Sequence, residues 1–215
     1  MRLLPRLRDL ARGTDTGRAM SQENVQLLDR ENAEMVRKPL RVRERSSRTL
    51  DQRFFLRFPR VNRALARLIS RLPPRSRIRQ AVVWRTAQRG VEAVNRHDLN
   101  AMMLSYDPCC EFCPGREWVE AGLMEPRYRG LAGYRAFLSP WSEAWGGDWR
   151  CEPVEFIDLW DRALLLQNLV VRARASGLPL TEKHAVVYTL REGLVIRHQE
   201  YHDHAEALEA VGLPE

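Results

Sequence analysis

Four segments decide the fold: WRCEPVEFIDLW (149–160), ALLLQNLVVRARA (163–175), LTEKHAVVYTL (180–190) and LVIRHQEYH (194–202). Each suits a strand in length and in its share of β-branched and aliphatic residues. The intervals between them are turn-like: Asp161-Arg162, then SGLP (176–179), then Arg191-Glu192-Gly193. Consecutive strands joined this tightly pair antiparallel, as a meander. DHAEALEAVGLPE (203–215) reads as a closing helix, with Gly212 as its C-cap.

Upstream, the apolar period lengthens to that of helices. GLAGYRAFLSPWSEAW (130–145) is a helical segment that Pro140 can kink, and residues 116–129 before it read as an irregular loop. EFC (111–113), after Pro108, reads as a short strand. HDLNAMMLSYD (97–107) reads as a short helix with Asp98 near its start. A helix from Ser76 to Asn95 carries the stripe Ile78, Val82, Ala87, Val91 and Val94. In residues 51–75, Leu65, Leu68, Ile69 and Leu72 sit among Arg60, Arg63, Arg67 and Arg71, a basic amphipathic helix closed by Pro73-Pro74. RVRERSSRT (41–49) reads as a mobile linker. Residues 20–38 read as a helix opening at Ser21 and ended by Pro39.

The chain thus divides into a basic, partly disordered tail with a short helix (1–50), a basic helical extension (51–75) and a main domain (76–215). Helices followed by one antiparallel sheet make an α+β layout. A strongly curved sheet wrapped on those helices would form a cone with an internal pocket.

At 215 residues and 44% apolar content, the chain suits a globular domain plus an extension. No stretch reaches the roughly 18 uncharged apolar residues of a membrane span. MRLLPRLRDLARG (1–13) has charge but no continuous apolar run, which makes a poor signal peptide. The net charge of +7 is uneven: residues 1–90 hold 23 Lys and Arg against 8 Asp and Glu, and residues 91–215 hold 12 against 20. A basic front points to an anionic membrane surface or a nucleic acid. Lys38 and Lys183 are the only lysines. So uniform an arginine bias also follows from genome composition, so nucleic acid is not the expected partner and a membrane surface is a minor alternative.

Together VEAVNRHDLNAMMLSYDPCCEF (91–112), YRGLAGYRAFLSPWSEAW (128–145), VEFIDLWDRALLL (154–166) and HAVVYTLREGLVIRHQEYHDHAEALEAVGL (184–213) resemble the SnoaL-like branch of the nuclear transport factor 2-like superfamily. MSQENV (20–25) resembles the opening of bacterial members. The resemblance implies the cone, a pocket for a small, largely apolar molecule, no cofactor, and a homodimer. It spans polyketide cyclases, a ketosteroid isomerase, dehydratases and proteins without assigned activity, so the fold alone gives no function.

The ketosteroid isomerase pattern needs a tyrosine, a carboxylate base and a protonated acid. Aligned on VNRHDL, these positions fall near Gly90, on Cys113 or Pro114, and near Val186, none of which can do the chemistry. The cyclase pattern places an aspartate near the end of the last strand. Here that is Asp203, which with Glu206 also forms a D-x-x-E capping box. If Asp203 is catalytic, it exchanges protons with His184, and Tyr188 or Tyr201 orients the substrate. His184, Val186 and Tyr188 share one strand face. Arg197, Gln199, Tyr201 and Asp203 share a face of the last strand, and His198, Glu200 and His202 the other. Arg197, Trp118, Tyr134 and Trp141 complete the expected pocket. YHDH (201–204) lacks a third nearby ligand, so no metal is expected. The alternatives are a non-catalytic ligand-binding or dimerisation module, or anionic-surface docking through 51–80.

DPCCEFCPG (107–115) crowds three of the four cysteines. On a strand, Cys109 and Cys113 stand roughly 13 Å apart, too far for one metal or a disulfide. They read as small apolar residues, with Cys113 at the pocket mouth. Without a disulfide framework, a reducing cytoplasm is the expected setting.

Overall fold

The computed structural model describes residues 35–145, 149–172 and 179–214, within a unit that begins at Met35. Its elements are β1 (Val36–Pro39), α1 (Leu50–Arg57), α2 (Pro59–Ser70), α3 (Arg77–Asn95), α4 (Leu99–Met102), β2 (Tyr106–Cys113), α5 (Arg116–Glu120), β3 (Tyr128–Arg129), α6 (Gly130–Trp145), β4 (Trp149–Asp158), β5 (Arg162–Arg172), β6 (Pro179–Arg191), β7 (Leu194–Tyr201) and α7 (His204–Ala210). The tail 1–34 and the helix start at Ser21 lie outside the described residues.

The meander is present: β4, β5, β6 and β7 pair antiparallel in sequence order. β2 then joins β7 in parallel, and β3 closes that side antiparallel to β2. Register shifts between Pro153 and Glu155 and between Thr189 and Leu190 mark bulges, which bend strands and sharpen their twist. The result is a curved, unclosed seven-stranded sheet with core on both faces. Phe112, Phe137, Leu165, Leu169 and Val195 belong to the inner cluster, and Val83 and Ala87 of α3 pack against it. On the outer face, Ala207 and Leu208 of α7 pack with Ile157, Leu164, Leu166 and Val187.

Several segments depart from the sequence reading. Residues 36–39 extend as a strand rather than continuing a helix. They pair with Glu155–Asp158 and satisfy what would be an open edge of β4. The segment 40–49 is anchored, not a free linker: Leu40 is buried, and Arg48 makes two hydrogen bonds to Asp98, at 2.6 and 2.8 Å. The basic extension breaks at Phe58 into two helices, with Pro59 opening the second. The region 116–129 contains α5 and β3. In α3, Ile78 is exposed and its neighbour Arg79 is buried instead.

Arg79 is 2% exposed and its partner Asp158 is fully buried. The guanidinium donates from Nε and Nη2 to the two Asp158 oxygens at 2.8 and 2.7 Å. Its other N–H groups reach the carbonyls of Ser70, Leu72 and Trp160, so all five donors are used. A second fastening is steric. Gly193, at φ +77° in the β6–β7 turn, lies against the backbone of Ala66 in α2, and a Cβ there would overlap the Ala66 carbonyl oxygen.

Removing one partner of a buried ion pair strands the other. Asp158→Ala should therefore cost roughly 3–5 kcal/mol of unfolding free energy, measured by urea denaturation. An exposed control such as Glu152→Ala should stay within about 0.5 kcal/mol of wild type.

Candidate functional site

Between the inner sheet face and helices α1 to α4 lies a cavity of about 800 Å³. Its walls are mainly apolar: Val82, Ala87 and Val94 from α3, Met102 from α4, Leu138 from α6, and Leu165 and Leu169 from β5. The strands β5, β6 and β7 bring polar side chains into this surface. Gln167 stands directly across from His184, and Tyr188 directly across from His198. Glu200, opposite Val186, lies next to His198 on the same strand face.

These groups form one cluster. Nε2 of His184 lies 3.5 Å from Glu200 Oε1, and Nε2 of His198 lies 3.6 Å from the same oxygen. Gln167 Nε2 is 2.9 Å from His184 Nδ1, and the Tyr106 hydroxyl is 3.0 Å from His198 Nδ1. Tyr188 packs edge-on against both Tyr106 and His198. Gln167, His184, His198 and Glu200 are all buried. Two acceptors there, Glu200 Oε2 and Gln167 Oε1, have no hydrogen-bond partner among the described residues.

The electrostatics separate the carboxyl from the hydroxyls. Burial alone would raise the Glu200 carboxyl, but the imidazoles of His184 and His198 beside it outweigh that and hold the group at about 2. Burial pushes the Tyr106, Tyr134 and Tyr188 hydroxyls upward, so they remain protonated donors. Burial likewise raises the thiols of Cys110 and Cys151 to about 12. Neither is a thiolate at neutral pH, and both pack as small apolar side chains in the inner core.

Of the residues singled out from sequence, the structure brings His184, Tyr188 and Tyr134 to the cavity lining. Arg197, Tyr201, Asp203, Cys113 and Trp118 are not part of that lining. Asp203 is exposed and caps α7, accepting from the backbone N–H groups of Ala205 and Glu206 at 2.6 and 3.4 Å. Tyr201 packs with the outer cluster under α7. Arg197 is exposed and bonds Gln199, and the charges that act on Cys113 include Arg197, Arg127 and Glu111. Trp118 stacks on His202. The side chain of Trp141 lies outside the described residues.

His198, Glu200, Gln167 and Tyr106 were not singled out as site residues. The bulge explains the first two. A plain hairpin continuing the pairs Arg191–Leu194 and Leu190–Val195 would set Arg197 opposite Tyr188. The extra residue in β7 sets His198 there instead, and a one-residue slip exchanges the two faces of a strand. Among the described residues, no group of three or more His, Cys, Asp or Glu side chains is arranged to hold a metal ion. No helix among them is long and apolar enough to cross a membrane.

Two measurements check this assignment. A carboxyl held low in the fold adds stability above its unfolded pKa of about 4.3, and loses it as pH falls towards the folded value. Wild type should therefore lose more unfolding free energy between pH 5 and pH 3 than Glu200→Gln does, by urea titration. Asp203→Ala should cost about 1 kcal/mol through the lost cap, read by urea denaturation.

The sequence matches no family model and no curated protein sequence. Solved structures do match. An NTF2-like protein of unknown function from Burkholderia pseudomallei K96243 superposes with a TM-score of 0.50 at 23% identity, over 60% of this chain and 95% of that one. A SnoaL-like protein of unknown function from Burkholderia thailandensis E264 gives a TM-score of 0.45 at 18% identity, over 58% and 97%. A protein with ketosteroid isomerase-like fold from Catenulispora acidiphila DSM 44928, in complex with trimethylamine, gives 0.46 at 11%, over 60% and 93%. The order of elements, the curved sheet and the first of these superpositions agree: the chain has the nuclear transport factor 2-like fold.

Proposed function

We propose that the chain binds a small, largely apolar molecule in the cavity, through a hydroxyl or enol group that donates to Glu200. One observation carries this reading. A carboxylate buried on an apolar cavity surface has both imidazoles on one oxygen and no partner on the other. A buried acceptor left open costs free energy, and a ligand donor is the group that would satisfy it. The protonated hydroxyls of Tyr106 and Tyr188 suit the oxygen of the same or a neighbouring ligand group.

The cluster also suits cofactor-independent proton transfer of the isomerase, cyclase or dehydratase kind. Where one of the two rings is neutral with its Nε2 unprotonated, a ligand O–H proton can pass by way of Glu200 to that nitrogen, across 3.5 Å to His184 or 3.6 Å to His198. Gln167 can serve either state of His184. With its amide turned so that Oε1 faces the ring, it accepts from Nδ1–H of both the neutral and the charged ring, which leaves Nε2 of the neutral ring to take up the proton. Asp203, taken up by the cap of α7, has no part in this scheme.

Native mass spectrometry of protein purified from its own host, followed by denaturation, tests the reading. A released molecule bearing a hydroxyl or enol is the expected result. Glu200→Gln should weaken its rebinding by roughly tenfold to a hundredfold, the worth of a charge-assisted hydrogen bond. A released molecule with no such donor, or unchanged rebinding by Glu200→Gln, would overturn it. His184→Gln separates the two levels: rebinding with lost turnover means catalysis, and a ligand that is never converted means a binding module.

A further inference from the structure

The structure points to a second surface, and we propose that the exposed side of α1 and α2 docks on an anionic membrane surface. Asn62, Leu65, Ala66 and Ile69 of α2 line the cavity. The adjoining face of the same helix carries Val61 and Leu68, exposed at 48% and 60%, with Leu65, 36% exposed, at the boundary between that face and the cavity. Phe54 of α1 and Phe58 at the break between the helices are exposed at 48% and 47%, with their rings 5.0 Å apart. Single exposed apolar residues are ordinary, but four large ones on two successive helices and the break between them form a patch.

The surroundings of the patch choose its occupant. Residues 50–75 hold seven arginines and one acid, Asp51, which is engaged by Arg85 and Arg89. Arg53, Arg57, Arg60, Arg63, Arg67 and Arg71 are all exposed, and of these Arg67 pairs with Glu192 at 2.7 Å. An apolar row beside a dense arginine set matches acyl chains beneath anionic headgroups. A nucleic acid would leave the apolar row uncovered. A second copy docked by a two-fold axis would set two arginine-rich faces against each other. Residues 1–34 contain six arginines and six acidic residues, so they bring no net negative charge to neutralise the face. Docking would lay the helical wall of the cavity against lipid, where an apolar ligand is concentrated. The proposal stands independently of the chemistry at Glu200.

Vesicle flotation of the full chain tests it. The protein should float with vesicles containing equal parts phosphatidylcholine and phosphatidylglycerol, not with phosphatidylcholine alone, and less as salt rises. Arg60→Gln should weaken binding about fivefold, and Arg60→Gln with Arg63→Gln by about the square of that. Val61→Ser with Leu68→Ser should abolish flotation while thermal melting and ligand retention in the cavity stay as in wild type. Absence of flotation with either vesicle, or equal flotation with both, overturns the proposal. So does duplex-DNA binding that survives the Val61→Ser and Leu68→Ser pair, or a dimer that this pair dissociates, which would give the face to a second copy.

Discussion

The buried Arg79–Asp158 pair fastens the helices to the sheet. An arginine this deep is tolerable only if every N–H is met, because each unmet donor carries its desolvation cost. Meeting all five fixes four pieces of chain at once. Asp158 ends β4, Ser70 and Leu72 lie at the close of α2, Trp160 forms the β4–β5 turn, and Arg79 itself sits in the first turn of α3. The carbonyls at a helix C-terminus have no partner within the helix and favour a cation, which is what Arg79 supplies to α2. Trp160 holds a positive φ of 76°, stabilised by its N–H donating to Asp158 Oδ1. Two helical walls of the cavity thus take their position from one side chain.

Once those walls are set, the cavity's character follows from which strand faces look inward. An apolar enclosure lowers the local dielectric, so the few polar groups inside it interact strongly. Two imidazoles facing one carboxylate oxygen keep Glu200 charged despite its burial. The same burial keeps three tyrosine hydroxyls protonated. Acceptor and donors are therefore held apart in function without a metal-ligand set among the described residues. Charge balance is local to the cluster and does not use Arg79 or the surface arginines.

Much of the fold was legible because its signals are local. Ser76 caps α3 and Asp98 caps α4, both through side-chain oxygens, and short turns join the last strands. The parallel junction of β2 with β7 was not legible, since residues 106–113 meet 195–199 across most of the domain and no turn announces the pairing. Nor was β1, whose four residues pair only because β4 leaves an edge to fill. The site was half legible. Alternation correctly grouped His198 with Glu200, and grouped His184 with Tyr188. Which group faces inward depended on a single extra residue between Leu190–Val195 and Thr189–Arg197. Neither composition nor period reports a bulge of that kind, so Arg197 and Tyr201 were expected where His198 and Glu200 stand.

The basic front and acidic back of the sequence also look different once folded. Arginines of the front are drawn into pairs with acids of the later chain. Arg45 and Arg89 meet Glu92, Arg48 meets Asp98, Arg79 meets Asp158, and Arg37 meets Glu155. Part of the sequence asymmetry of charge is thus spent on joining the N-terminal segments to the cone, and a long-range field cannot be inferred from it alone. Along α1 and α2 the balance differs. There, Asp51 is the only acid within residues 50–75, Arg67 meets Glu192, and Arg53, Arg57, Arg60, Arg63 and Arg71 are exposed beside apolar side chains. Internal pairing explains the arginines at 37, 45, 48, 79 and 89. It does not explain why Phe54, Phe58, Val61 and Leu68 stand exposed among those at 53 to 71. That combination needs an occupant with both negative charge and apolar depth.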